Sequence, residues 1–589
     1  MLTIRFNKWA LIFLLFPCAN LSAEDSGFRN TGTQVRFVGS QVCASCHAGI
    51  FATYAKTAMG RSMALGNSAT GNALPVPFTV FDSDSGEYFE VSRKDGDYYQ
   101  SVYAVDHAGK EMLRQAWKLP FVIGAGENGF GLLLQRDGYL FEGPLTYYTK
   151  SQVWSFSPGY ERRNLAFTRP VIAECVGCHS ARPRPIYEKA ALYRNPPFEE
   201  LAIGCENCHG PGALHVAERR AGLAPPGGKD TSIVNPARLT ETLADNICMK
   251  CHQGGDVRVM QPGRHMEDFR PGTRLDDVVA IFKAPLSKDA ASQSVLLEHY
   301  YSMTLSRCYR GSSGRLRCTS CHDPHKEPSA EEAGSFYRAK CLSCHAASNC
   351  KLALADRTKT SPADACASCH MPKRTVTTIT HAALTEHRVI AKPDEPYPSE
   401  AFAPAADPTT GLFHLTAGDV RAEKIPPLTL FQAYAGLIRD GHTEFSERAN
   451  AMLDQLARAS PRNPVVLSAL ARRAMNRQGP EAVDEAIGYF TAAIQDGSPA
   501  AEDFLLLAGL YGRKKQNAES ISILRRGMAA NPYVREFPES LAAQHMSSGE
   551  YRDASAVIRK GLEIFPDDVA LRALQKKIQD ATLDGFAGP

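Results

Sequence analysis

The sequence predicts a mainly α chain of two unlike parts. The first is an irregular domain studded with cysteine–histidine motifs and carrying a small antiparallel β insertion; the second is an α-solenoid of repeated helical hairpins. Three observations predict this. The pentapeptide Cys-x-x-Cys-His occurs seven times before residue 371, short alternating apolar runs fill the gap between the first two copies, and small and large apolar residues recur every 34 positions near the C-terminus.

The pentapeptide carries the most specific chemistry. Its copies are Cys43/Cys46/His47, Cys175/Cys178/His179, Cys205/Cys208/His209, Cys248/Cys251/His252, Cys318/Cys321/His322, Cys341/Cys344/His345 and Cys366/Cys369/His370. Two thiols at this spacing add to the two vinyl groups on one porphyrin edge while the adjacent imidazole reaches the iron. Each copy is therefore a signature of covalently attached haem c, with its histidine as proximal ligand. With 17 Cys and 17 His in 589 residues, chance placement gives roughly 0.01 copies. Structural zinc favours closed four-ligand sites, which seven three-ligand units fit badly. The fifth copy continues as Cys318-Thr319-Ser320-Cys321-His322-Asp323-Pro324-His325. His325 is too near along the chain to share the iron of His322 from the opposite face, so as a ligand it serves a neighbouring haem.

In chain order, Arg5 and Lys8 precede the apolar run Trp9 to Phe16, and Asn20-Leu21-Ser22-Ala23 offers small residues for cleavage. Residues 1–23 read as an export signal, too short to span a bilayer, and no later segment is apolar enough to cross one. Cys18 admits a lipid anchor, but Pro17 is a poor residue before a lipidated cysteine. The net charge of +3 falls to about +1 without the signal and to about −6 once seven oxidised haems bring their propionates. That balance excludes a basic nucleic-acid surface.

Residues 24–390 form the expected multihaem cytochrome c domain. After the first motif, Ile50 to Met63 has helical composition and brings Met59 near, a candidate iron ligand. Across about 75–160, Phe78 to Phe81, Tyr88 to Val91 and Tyr98 to Tyr103 alternate as strands, separated by turns at Asp82 to Gly86 and Lys94 to Asp97. His107 beside a turn reads as structural. From 171 to 390 the motifs crowd among Gly- and Pro-rich connections, as expected where porphyrins supply the interior. Distal ligands are sought among His215, His299, His325, His381 and His387, with His265, Met59 and Met303 competing for the rest. His414, His442 and His545 read as ordinary surface residues. Cys308 and Cys350 are left over, as a disulfide or as two buried thiols.

Residues 391–425 are Pro- and Ala-rich and read as a linker. Residues 426–580 show the repeat, ahead of a tail at 581–589. Ala474, Ala508 and Ala542 share one register, as do Ala459, Ala493, Gly527 and Gly561, while Leu456, Phe490, Leu524 and Ile558 mark a large apolar position. Prolines close the units at Pro464, Pro499, Pro532 and Pro566. A 34-residue helix-turn-helix with small residues where helices touch is the tetratricopeptide pattern, with roughly four repeats, the first poorly matched. Such a solenoid holds a protein partner on its concave face, or else caps the haem domain.

Together these features resemble exported multihaem cytochromes c with a C-terminal tetratricopeptide domain. The haem region is similar to the superfamily of pentahaem nitrite reductase, hydroxylamine oxidoreductase and the tetrahaem carrier of ammonia oxidisers. The resemblance rests on Phe37-Val38-Gly39-Ser40, on Gly204 to Gly212 with His215, on Cys318 to His325, and on Cys369-His370-Met371-Pro372 leading to His381 and His387. It implies bis-histidine haems stacked in close pairs, and haem attached after export, in a periplasmic or extracellular location. No motif here carries the lysine of the nitrite reductase's catalytic haem, and Ala58-Met59 stands where the tetrahaem carrier has histidine. No residue is singled out as catalytic. The expected function is electron transfer through covalently bound haems, with the repeats docking a redox partner. The alternative is an oxidoreductase acting on a small nitrogen or sulfur compound at one open-site haem.

Overall fold

The computed structural model describes residues 26–68, 74–161, 164–287, 298–375, 383–417, 424–566 and 568–584. The export-signal reading at 1–23 and the ligand candidate His381 lie outside them.

The β insertion is a sandwich. Strands Phe78–Asp82, Glu87–Lys94, Asp97–Val105 and Glu111–Leu119 make one antiparallel meander. Lys94 pairs with Asp97 across Asp95-Gly96, both at positive φ (52° and 85°), the two-residue turn whose twist suits a hairpin. The second sheet holds Phe121–Ile123, Gly129–Arg136, Tyr139–Glu142, Leu145–Tyr148 and Val153–Phe156. It also takes in Met63–Leu65 and Arg169–Pro170, from just outside the expected limits. Phe89, Val91 and Tyr98 of the first sheet pack on Leu132, Phe141, Leu145 and Trp154 of the second, the side-chain alternation of a two-sheet core.

A smaller sheet corrects the linker reading. Val257–Met260 pairs with Val279–Lys283, which pairs in turn with Phe413–His414. Ala401 and Leu412 are fully buried, and Thr410 accepts a hydrogen bond from Tyr434 at its carbonyl. Helix Pro427–Arg439 lies on the same sheet, where Gly436 leaves room for Val257, 2.8 Å from where a Cβ would stand. From Ala401 to Ala417 the Pro- and Ala-rich stretch is thus packed chain, because its few apolar residues complete a buried edge. His414 is correspondingly not at the surface: its side chain is 8% exposed and its Nε2 lies 2.6 Å from Asp276.

The C-terminal part is four helical hairpins and a closing helix: Pro427–Arg439 with Ser446–Ala459, Pro464–Met475 with Pro480–Gln495, Ala501–Arg513 with Asn517–Ala530, Glu536–Ser547 with Tyr551–Ile564, then Val569–Asp584. Asn463 caps one helix by accepting from the N–H groups of Val465 and Val466, with Pro464 in its first turn. The recurring positions Ala474, Ala508, Ala542, Phe490, Leu524 and Ile558 are all buried. Gly527 is small because a Cβ there would run into the Phe537 ring. Ala459 is exposed, in keeping with a poorly matched first unit. His545, read as a surface residue, is 1% exposed and hydrogen-bonds Glu550 through Nδ1, 2.5 Å away. The loop before Glu536 docks on the sandwich: Tyr533 packs edge-on against Tyr139 and Phe141 at 5.1 and 4.8 Å and bonds Asp137.

The stretch from Arg307 to Asp364 is built differently. It contains helices Arg307–Gly311, Cys318–Cys321 and Ala330–Leu342, the last opened by a Ser329/Glu332 capping box, yet none of its residues is buried.

Candidate multihaem site

Motifs one and three are held against each other by a single carboxylate. Glu206, an intervening residue of motif three, is buried and accepts from the N–H groups of Val38, Gly39 and Gly212 at 2.7–3.1 Å. Ser40 Oγ accepts from the N–H of Cys205 at 3.0 Å, and Gly204 lets it approach. Asn30 donates to the carbonyls of His209 and Pro211. The thiols of Cys43 and Cys205 are near enough to perturb each other, Cys43 being pushed up and Cys205 down. Two of the four segments on which the family resemblance rests are thus the two halves of one contact.

The imidazoles fall into two groups of four. In the first, His47 faces His215 with ring centroids 6.4 Å apart and planes 21° apart, and His209 faces His325 at 5.9 Å and 10°. In the second, His252 faces His299 at 5.4 Å, His322 faces His387 at 6.3 Å, and His299 touches His387 at 4.2 Å. Two imidazoles bound about 2 Å from one metal on opposite faces have centroids about 6 Å apart. The octapeptide Cys318 to His325 contributes His322 to one group and His325 to the other.

Hydrogen bonds select the tautomer. Nδ1 of His209 lies 2.8 Å from the Val234 carbonyl, that of His370 2.6 Å from Ile390, and that of His387 3.0 Å from Thr385. A carbonyl only accepts, so each Nδ1 carries the proton and Nε2 is left free for a metal. His215 Nδ1 meets Asp230 Oδ2 at 3.0 Å and Ser232 Oγ at 3.2 Å. Burial, then the neighbouring imidazoles, lowers His299 to about 3. Burial, with His322 and His252 adding to it against the Thr385 hydrogen bond, lowers His387 to about 4. Both are neutral and able to coordinate.

The remaining cysteines extend the contacts. Cys178 lies beside Cys251, Cys318 beside Cys248 and Cys341 beside Cys366, each pair coupled electrostatically. Arg317 ties motif five to the motif-four helix through Asp245 at 3.0 Å. Every described cysteine, including the half-buried Cys308 and Cys350, is free of disulfides, so the disulfide alternative for that pair is not formed.

Exposure separates the motif thiols from one another. In the polypeptide alone Cys46, Cys175, Cys344 and Cys369 are exposed. For Cys46 and Cys344 the reason lies in the backbone. Each is the second cysteine of its motif, and the helix that carries the first, Ser40–Ala44 or nearly the end of Ala330–Leu342, stops before it. The chain turns between the two thiols and sends the second outward, with Cys46 Sγ 3.8 Å from the Ser45 hydroxyl and Cys344 Sγ 3.9 Å from that of Ser343. A thioether needs only the porphyrin edge, so an exposed thiol remains compatible with attachment.

Met59 lies in a one-turn helix Met59–Arg61, and the ring opposite His47 is His215. His265 stacks on Tyr187 at 3.4 Å, and Met303 is buried. Among the described residues no second imidazole faces His179, His345 or His370. The donor set fits haem: paired free thiols, an adjacent imidazole, and for four motifs a second imidazole at the separation a six-coordinate iron needs.

No family model matches the chain. Over 151 residues it is 25% identical to the multiheme cytochrome MtrA of Shewanella baltica (strain OS185), a match covering 24% of this chain and 42% of that protein. The chain thus spans less than half the length of that relative. Among solved structures, the Arabidopsis OM64 TPR domain is 14% identical with a TM-score of 0.18, covering 20% of this chain and 95% of that one. MamA 41-end from Desulfovibrio magneticus RS-1 is 16% identical with a TM-score of 0.21, covering 25% and 80%. The chain is similar in part to a multihaem cytochrome, and no described helix is long and apolar enough to cross a membrane.

Proposed function

We propose that the chain is an exported, periplasmic or extracellular, heptahaem c-type cytochrome that passes electrons along its haems, with the tetratricopeptide part docking a redox protein. Bound haem iron supplies one-electron exchange. The fourteen motif cysteines anchor the porphyrins. The seven motif histidines with His215, His299, His325 and His387 hold the irons and orient them. The observation that carries this reading is the opposition of four motif histidines to four further imidazoles, in two clusters joined by Cys318 to His325.

A redox-titrated magnetic-resonance spectrum of the holoprotein tests it. At least four six-coordinate low-spin bis-histidine irons are expected, and His215→Ala converts one of them to high spin. Absence of bis-histidine signals would end the reading. A second reading, an oxidoreductase with one exchangeable iron position, is favoured by the motif histidines that lack an opposing imidazole among the described residues. A high-spin signal in the unmodified protein that responds to nitrite, hydroxylamine or carbon monoxide would establish it.

A further inference from the structure

His299 is held from both sides. The residue before it, Glu298, places Oε1 2.6 Å from Lys283 Nζ, which also meets Asp256 Oδ1 at 3.1 Å. Lys283 is 1% exposed and lies 5.5 Å from the Tyr301 ring centroid. Asp256 is itself fixed, its Oδ2 accepting from the N–H of Ala284 at 2.8 Å. On the other side, Gln253, which follows the motif histidine His252, pairs with Glu298 in an antiparallel bridge and accepts from the N–H of Tyr301 at 2.9 Å.

Burying one ammonium between two carboxylates contributes little to stability, because desolvation offsets the Coulombic gain, and its best-attested use is to fix register. Here the register it fixes is that of His299 against His252. We infer that Lys283 is a positioning residue: its ammonium clamps Glu298 and thereby sets the orientation of the His299 imidazole toward the metal held by His252. Because His299 also touches His387, a shift of its ring is felt at the metal held by His322. The inference rests on the bis-histidine haem reading and goes beyond it in naming what orients one ligand. Lys283 acts on the ring through Glu298, the residue before it.

The test uses matured full-length protein with its haem count verified by mass. Lys283→Met leaves two carboxylates without their cation and risks the fold, so Lys283→Met/Glu298→Gln, which removes one of those charges too, is made beside it, with Lys283→Arg as the conservative variant. The expected result is a change in the low-spin g values of two irons and a shift in their potentials. A threefold to tenfold change in the reduction equilibrium is expected, up to about 59 mV for a one-electron couple. The signals of the His47/His215 and His209/His325 pairs stay fixed, and Lys283→Arg restores the original spectrum in part. Full haem content with all low-spin signals unchanged in the double variant would overturn the inference alone. A wild-type protein lacking bis-histidine signals would overturn the reading beneath it.

Discussion

The stretch 307–364 and the helical hairpins of 427–584 both fold into helices, but only the second has an interior made of side chains. In the hairpins, Phe490, Leu507, Phe537 and Leu541 are essentially inaccessible and interlock across successive units. Between Arg307 and Asp364 no residue is buried. That stretch is kept in order by local devices: the Ser329 cap, and Asp364 accepting from Arg338 and Arg357 at 2.7 and 2.9 Å. Capping and partly covered ion pairs of this kind stabilise by about 1 kcal/mol each, far short of what ordering dozens of residues costs. On the haem reading proposed above, the cofactors held by the cysteines and histidines of that stretch would supply the interior that its side chains do not.

The largest effect should come from withholding haem. Expressed without cytochrome maturation, the protein should exchange amide hydrogens across 307–375 at nearly unfolded rates, while 427–584 stays protected by orders of magnitude. Equal protection in both regions would erase the contrast. Next, Phe537→Ala should cost the hairpins about 3–5 kcal/mol, read as a lower denaturation midpoint for the C-terminal part with haem spectra unchanged. Glu206→Gln probes the place where two motifs are held together by a buried carboxylate. Losing charge-assisted acceptance from Val38, Gly39 and Gly212 should cost about 2 kcal/mol, seen as faster exchange of those three amides.

The smallest effect is a pH dependence confined to the hairpins. Burial, and after it Asp568, pushes the Glu539 carboxyl up to about 7. The fold therefore favours its protonated form, and the stabilisation present below its unfolded pKa of about 4.3 is lost as pH rises through 7. After solvent screening the loss is on the order of 1 kcal/mol, so the midpoint should be higher at pH 5 than at pH 8. Glu539→Gln should flatten the profile.

Much of this was legible in advance because it is local. The seven motifs, the Asp95-Gly96 turn and the 34-residue register each depend on residues close in sequence or strictly periodic. The candidates His215, His299, His325 and His387 could be picked out as histidines near motifs, but their partners could not, since His47 meets a ring far along the chain at His215. Nor does the spacing of a motif tell which of its thiols faces solvent, as Cys46 and Cys344 do, because that depends on where the preceding helix stops. The packed role of Phe413–His414 was hidden for another reason. Proline and alanine content signals a spacer unless a sheet edge elsewhere needs completing, and the need lies at Val279–Lys283. The burial of His545 follows from its helix's place in the array, which its own neighbours do not disclose.

The hairpin array is fastened to the remainder at two points, by Pro427–Arg439 on the sheet edge and, between the third and fourth hairpins, by Tyr533 on the sandwich. Free-ended arrays can gain or lose units by duplication and deletion with little penalty. Here one unit more or fewer between Pro427–Arg439 and Tyr533 would carry that tyrosine away from Tyr139, so the distance between the two anchorages acts as a ruler for the units it spans, while the fourth hairpin and the closing helix lie beyond its reach.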